Sequence, residues 1–406
     1  MEHQGNEETR NPLMHEVLAD DAREGHEKRL ARYSAAKARQ QVVSEFILQQ
    51  NSFSDKPTLE REQKALDDCG SFLIYRHYYV VDRYRLLAGC TCKKHLLCAL
   101  CAIRRAAKCV AVYSEKIDIV TAGQEYDTLL VTLTIKNGYD LAERYEHLQT
   151  SVKKLLHRRR NALLKNPKTD TLFKHVVGAI YSYEVTVNDL DEFHPHVHMI
   201  VMVPRGTFHF DEITIKKKVV KVPVSLQQGL VKDWKEITGD SFIVDVRLIE
   251  DEKDKISALV ETFKYALKFS EMAVETQVAC YRVLKCRRMI GSMGALFGVK
   301  LPDSLNDPLL PGEEKYVDLV YQYSGVNFGY QMVSHGHAEI QENSSQRRKS
   351  SKKKRKDPDG PEAKFAVQVS DYRKKAAFYG TTDAIKEKAR ERIDLIERTG
   401  QEPVPF

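Results

Sequence analysis

The chain has 406 residues, 42% of them apolar and 30% charged, with a net charge of +7. That length accommodates two or three domains and one sizeable core, and the composition describes a soluble globular protein with polar extensions. No run approaches the ~20 apolar residues that span a bilayer. The start, MEHQGNEETRNPLMHEV, lacks the basic-then-apolar pattern of a secretory signal, so a cytoplasmic protein without a membrane partner is expected.

In chain order, residues 1–60 read as a polar N-terminal extension, unstructured to about 25 and then a charged helix over 26–50. Residues 61–115 are the cysteine-rich segment, holding six of the eight cysteines. This usage points to metal ligation in a reducing compartment rather than to disulfides. The tight element is Cys92-x5-Cys98-x2-Cys101. Structural Zn²⁺ takes four N or S ligands in a tetrahedron. Cys69, followed by the turn-former Gly70, is the choice for the fourth ligand, with Cys90, His95 and His77 as competitors. The segment runs into a helix with a basic flank, Arg104-Arg105, a candidate phosphate-backbone contact.

Residues 116–335 carry the ordered block. Leu129–Ile135 is a β-branched strand ended by Asn137-Gly138, and 141–165 is a helix made cationic by Arg158, Arg159 and Arg160. A second strand, Val176–Val187, turns at Asn188–Asp191 into a third, Val197–Val203, closed by Pro204. A helix near 225–237 carries the lone Trp234, followed by a strand over Phe242–Ile249 and a helix over Lys255–Ser270. The order β-α-β-β-α-β with a trailing helix predicts an α+β fold of ferredoxin-like type, an antiparallel sheet with helices on one face. Residues 336–363 are a basic, low-complexity linker, and 364–406 contain a last charged helix over 381–398.

Chemistry concentrates on the third strand. Side chains alternate along a strand, so His196 and His198 share one face. Glu184 lies on the strand expected to pair with theirs, which completes a set of two imidazoles and a carboxylate suited to Mg²⁺ or Mn²⁺. On the trailing helix, about 100° per residue puts Glu261, Tyr265 and Lys268 together, opposite the apolar stripe of Ile256, Leu259, Val260, Phe263 and Leu267. A solvated face and a tyrosine nucleophile served by Lys268 and Glu261 both suit that spacing.

Leu130-Val131-Thr132-Leu133-Thr134, His194-Pro195-His196-Val197-His198 and Glu261-x3-Tyr265-x2-Lys268 occur in an order that resembles the plasmid rolling-circle replication initiators, single-tyrosine branch of the HUH endonuclease superfamily. The similarity spans about residues 69–330. It implies a metal-dependent DNA nicking-closing enzyme acting at its plasmid origin, in concert with a host helicase and polymerase. Tyr265 would attack a phosphodiester at the metal, keep the 5′ phosphate and free a 3′-OH primer. Glu261 would activate water to release the enzyme at termination, and His196 and His198 would be metal ligands, with Glu184 as the third. A relaxase or single-strand transposase of the same superfamily is an alternative. So is a non-catalytic zinc protein that only binds nucleic acid.

Overall fold

The structure, a computed structural model, describes residues 25–336 apart from 53–58, 124, 165–169, 216–217, 302–303 and 311–314. The expectations for the first 24 residues, the basic linker and the last charged helix fall outside the described residues.

The amino-terminal half contributes α1 (His26–Ser52), α2 (Glu60–Asp68), β1 (Phe72–Tyr78), β2 (Arg83–Gly89) and α3 (Ala99–Thr121). The ordered block follows with β3 (Tyr126–Thr134), α4 (Leu141–Leu163), β4 (Gly178–Val187), β5 (Phe193–Pro204), the small hairpin β6 (Asp211–Ile215) and β7 (Lys218–Val222), α5 (Val224–Thr238) and β8 (Val244–Ile249). Then come α6 (Glu252–Phe263), α7 (Tyr265–Lys268), α8 (Val274–Leu284), β9 (Ile290–Gly294), β10 (Val317–Ser324) and β11 (Gly329–Gly336).

The central sheet has the order β8-β3-β5-β4-β9, with antiparallel pairing throughout. Local chemistry fixes its connections. Asp140 caps α4 by accepting from the Glu143 N–H at 3.1 Å, and Asp251 caps α6 by accepting from Asp254 at 2.8 Å. Asn188 Oδ1 accepts from the Leu190 and Glu192 N–H groups to turn β4 into β5. Gly239, at φ 74°, ends α5 in the left-handed conformation that a Cβ disfavours.

Register divides this sheet into two faces. Leu129, Val131, Leu133, Val197, Met199 and Val201 share the face on which α4 packs, where Tyr145 meets the Tyr183 ring edge-on. The crossover helices α4 and α5 lie together on that side. Ser182, Glu184, His196 and His198 share the other face, covered by the trailing helix, whose Thr262 carbonyl accepts from Ser182 Oγ. The face under α6 thus carries the polar residues at one end of the strands, with Ile180 and Ile200 further along it.

A second sheet, order β11-β10-β1-β2, joins the cysteine-rich segment to the last described hairpin. The charged α1 is not a solvated arm: Tyr33, Ala36, Lys37, Gln40, Val43 and Ile47 are buried along it. Arg29 of α1 and Arg104 of α3 both reach Asp307, at 2.8 and 2.6 Å, and Arg104 also donates to the Leu305 carbonyl. Despite burial, the two guanidiniums hold the Asp307 carboxyl well below the usual carboxylate range. Removing the carboxylate strands two buried cations, so Asp307→Asn is expected to destabilise the chain by about 3–5 kcal/mol. A depressed acid stabilises the fold above its unfolded-state pKa and loses that effect as pH falls through its folded-state value. Urea unfolding at pH 7 and in the acid range should therefore show a variant deficit that shrinks at low pH; an equal midpoint at pH 7 would contradict the role given to this cluster.

Candidate active site

Strand pairing aligns Glu184 with His196 and Ser182 with His198, and Thr132 of β3 flanks His198 from the other side. Ligand atoms from Glu184, His196 and His198 lie within 4.8 Å of one another. The His196 Nδ1–H must donate to the His194 carbonyl at 3.2 Å, because a carbonyl only accepts. In the neutral ring, Nε2 then presents its lone pair to Glu184 Oε1, 3.4 Å away. A proton on Nε2 or a bound cation would each satisfy that contact. His198 Nδ1 bonds Thr132 Oγ1 at 3.1 Å, while its Nε2 and Glu184 Oε2, both buried, have no hydrogen-bond partner. Those atoms are 3.6 Å apart.

Protonation states suit a cation. Burial pushes His198 down to about 4, which leaves the ring neutral near pH 7. Burial opposes ionisation of Glu184, yet His196, His198 and Lys264 pull it down to about 2, a carboxylate. A buried carboxylate beside two imidazoles is a donor set for a divalent ion with positions left open.

Glu261 joins this group: its Oε1 is 3.6 Å from His198 Nε2. It does so with Lys264, whose ammonium meets Glu261 Oε2 at 2.5 Å. The grouping of Glu261, Tyr265 and Lys268 on one polar face is not what forms. The helix ends at Phe263 and restarts at Tyr265, so an angle counted through Lys264 does not carry over. Tyr265 turns inward, 1% exposed, with Arg105 as the hydrogen-bonding neighbour of its hydroxyl. Burial pushes this phenol up to about 12, against the charge of Arg105 beside it. Lys268 pairs instead with Glu271 at 3.4 Å.

The expected DNA-binding arginines meet different fates. Arg104 is 2% exposed in the Asp307 cluster and cannot serve as a surface contact. Arg105 lies against Tyr265. Arg158 is paired with Asp233 at 2.7 Å and Glu236 at 2.9 Å, which neutralises it locally. Arg159 donates to the Val176 carbonyl at 2.7 Å, and exposed Arg160 reaches His157 at 3.0 Å.

The second cluster brings together Cys69, Cys92, Cys98 and Cys101, with sulfurs within 4.8 Å of one another. Cys69 is 3.6 Å from both Cys98 and Cys101, and Cys92 is 3.6 Å from Cys101. Such spacing is far beyond an S–S bond of ~2.05 Å. It matches the edges of a tetrahedron with Zn–S arms of ~2.3 Å, about 3.8 Å. Around it, Lys37 Nζ donates to the Asp67 and Cys69 carbonyls at 2.9 and 2.6 Å, and Gln40 accepts from Cys98. Hydrogen bonds from Cys101, Cys69 and Cys98 push the Cys92 thiol down, while burial pushes Cys98 up. Cys90 is outside the cluster.

Among the described residues no helix is long and apolar enough to cross a membrane. Residues 83–324 match the model of the Rep_1 family, Replication protein. Two curated relatives, each named Protein rep, come from Staphylococcus aureus and Bacillus amyloliquefaciens. The first is 24% identical over 60% of this chain and 96% of its own length; the second is 25% identical over 62% and 76%. No solved structure matches.

Proposed function

The chain belongs to the Rep_1 replication protein family, among the plasmid replication initiators, and from that premise we propose that it nicks one strand of its origin by attack of Tyr265 on a phosphodiester. The observation that carries this reading is the Glu184, His196 and His198 set with its orphaned Oε2 and Nε2 atoms, next to Glu261 on the helix that leads into Tyr265.

Glu184, His196 and His198 would hold a divalent cation, Mg²⁺ or Mn²⁺, whose charge would stabilise the non-bridging oxygens of the scissile phosphate. In the transfer step the phenol oxygen bonds phosphorus as the bond to the 3′ oxygen breaks. The phenol proton ends on that 3′ oxygen. The product is a 5′-phosphotyrosine and a free 3′-OH, the primer from which a host polymerase would extend behind a host helicase. The ester keeps the energy of the broken bond for rejoining, as hydrolysis would not. Because Tyr265 is buried, the strand reaches it only after α7 shifts, and the junction at Lys264 is where the backbone can give.

Glu261 serves the last step. Its carboxylate takes a proton from water as the water oxygen attacks phosphorus and the bond to the phenolate oxygen breaks, and that proton then passes from Glu261 to the phenolate. Lys264 anchors that carboxylate in the resting enzyme. The four cysteines would hold a structural Zn²⁺.

The test combines cation and carboxylate. Omission of added divalent cation, with zinc content unchanged, should abolish nicking of a single-stranded origin oligonucleotide, and Mn²⁺ or Mg²⁺ should restore it. Glu261→Ala should still form the adduct but release it by hydrolysis about 10²–10⁴-fold more slowly, the usual contribution of a general base. Cleavage that persists without added Mn²⁺ or Mg²⁺ would overturn the metal assignment, and unchanged release in Glu261→Ala would overturn the role of that residue.

A further inference from the structure

One helix links the cysteine cluster to the surroundings of Tyr265. Cys98 accepts from the Cys101 N–H at 3.4 Å and so caps α3. Cys101, Arg105 and Cys109 follow at intervals of four along that helix, a single stripe. The stripe leads from the sulfur cluster to Tyr265. Arg105 and Cys109 are the groups of α3 that act on the phenol, with Arg105 foremost. From the loop between Cys92 and Cys98, His95 meets the Tyr265 ring edge-on, with centroids 6.0 Å apart at 89°. Burial first, and then the Arg105 charge, push His95 down to about 4, so Arg105 is the cation of this pocket.

The Tyr265 hydroxyl, within a fully buried side chain, has Arg105 as its hydrogen-bonding neighbour, while Arg105 Nε has no partner. Native interiors rarely leave a guanidinium donor unpaired beside the group it faces. A guanidinium offers N–H donors in a fixed fork that matches phosphate oxygens. From this juxtaposition we propose that Arg105 is a catalytic residue that holds the phosphate joined to Tyr265, and that the four-cysteine site is the device that positions it.

The proposal rests on Tyr265 as nucleophile. As the phenol oxygen bonds phosphorus and the 3′ oxygen leaves with the phenol proton, charge on the transferring phosphate stays within reach of Arg105. In the adduct the same N–H groups hold the 5′-phosphodiester for rejoining. Cys98 and Cys101 fix the first turn of α3, and Arg105 stands one turn on. Metal at the cysteines would therefore act on the chemistry through the orientation of this one side chain.

The full-length protein, loaded with zinc, is mixed with a single-stranded origin oligonucleotide and the covalent adduct is timed. Arg105→Met should slow adduct formation about 10²–10³-fold, as loss of one donor to a developing oxyanion does, with zinc content, melting temperature and oligonucleotide affinity unchanged. Arg105→Lys should recover part of the rate, and methylguanidinium should accelerate Arg105→Gly but not the wild type. Adduct formation by Arg105→Met at the wild-type rate would overturn the proposal. Equal loss in the Lys variant, together with a fallen melting temperature, would overturn it too by making the residue structural. Tyr265→Phe run alongside separates the two readings: an adduct in that variant means the nucleophile is elsewhere, whereas its absence beside a fast Arg105→Met condemns only the role of Arg105.

Discussion

Tyr265→Phe is expected to reduce nicking and adduct formation by about 10⁴-fold or more, as nucleophile removal does in other covalent enzymes, with origin binding intact. The substitution removes one oxygen from a fully buried side chain, and with it only the contact to Arg105. Folding therefore gives no reason for the loss. The phenol is held near pKa 12 by burial, so at rest it is a protonated, poor nucleophile. Reaction requires the strand to uncover it, and the charges of Arg105 and of a cation at Glu184, His196 and His198 then favour the phenolate form. Gel separation of nicked and covalently linked oligonucleotide, alongside a binding titration, measures both halves. A non-catalytic nucleic-acid binder would leave the Phe variant indistinguishable from the wild type in both.

The second large effect concerns the cysteines. Cys98→Ser, or stripping of metal by a strong chelator, is expected to unfold the amino-terminal half. Structural zinc sites supply apparent free energies of about 10–16 kcal/mol, comparable to the whole stability of an ordinary domain. Here the four sulfurs come from the end of α2, the segment after β2 and the start of α3, so they tie together elements with no local reason to meet. Lys37 and Gln40 of α1 spend their hydrogen bonds on the same knot. Zinc content per chain and thermal melting with and without chelator check this; one equivalent bound and a melting point lowered by tens of degrees on chelation is the expected result. A chain that melts at the same temperature after complete metal removal would show that the cluster is only a group of buried thiols.

Much of the central sheet was legible because its signals are local. A β-branched run ended by Asn137-Gly138 marks β3, and a nearly continuous apolar run closed by Pro204 marks β5. The short polar turn after Val187 dictates that Glu184 faces His196, so the candidate metal ligands could be named from spacing alone. Gly70 likewise pointed to Cys69: at φ 69° it turns the chain beside Leu100, where a Cβ would come within 2.7 Å of Cδ2. What stayed hidden depends on distant partners. Arg76 meets Asp318 across 242 positions in the second sheet, and no pattern within either strand announces that pairing. Arg104 looks like a DNA contact until Asp307 is seen to hold it. Lys268 looked like the partner of the phenol because an angular projection assumes one continuous helix; the break at Lys264 gives Lys264 to Glu261 and leaves Tyr265 to Arg105.

The central claim is a covalent bond between one named side chain and one end of a cut strand. Incubation of the full-length protein with Mn²⁺ and a single-stranded origin oligonucleotide, followed by protease digestion and mass analysis, reads that bond directly. The expected product is the peptide containing Tyr265 carrying the nucleotides 3′ of the nick through a 5′ phosphate, with a free 3′-OH on the other fragment. Cleaved DNA with no linked peptide, or with the phosphate on another residue, would contradict the account.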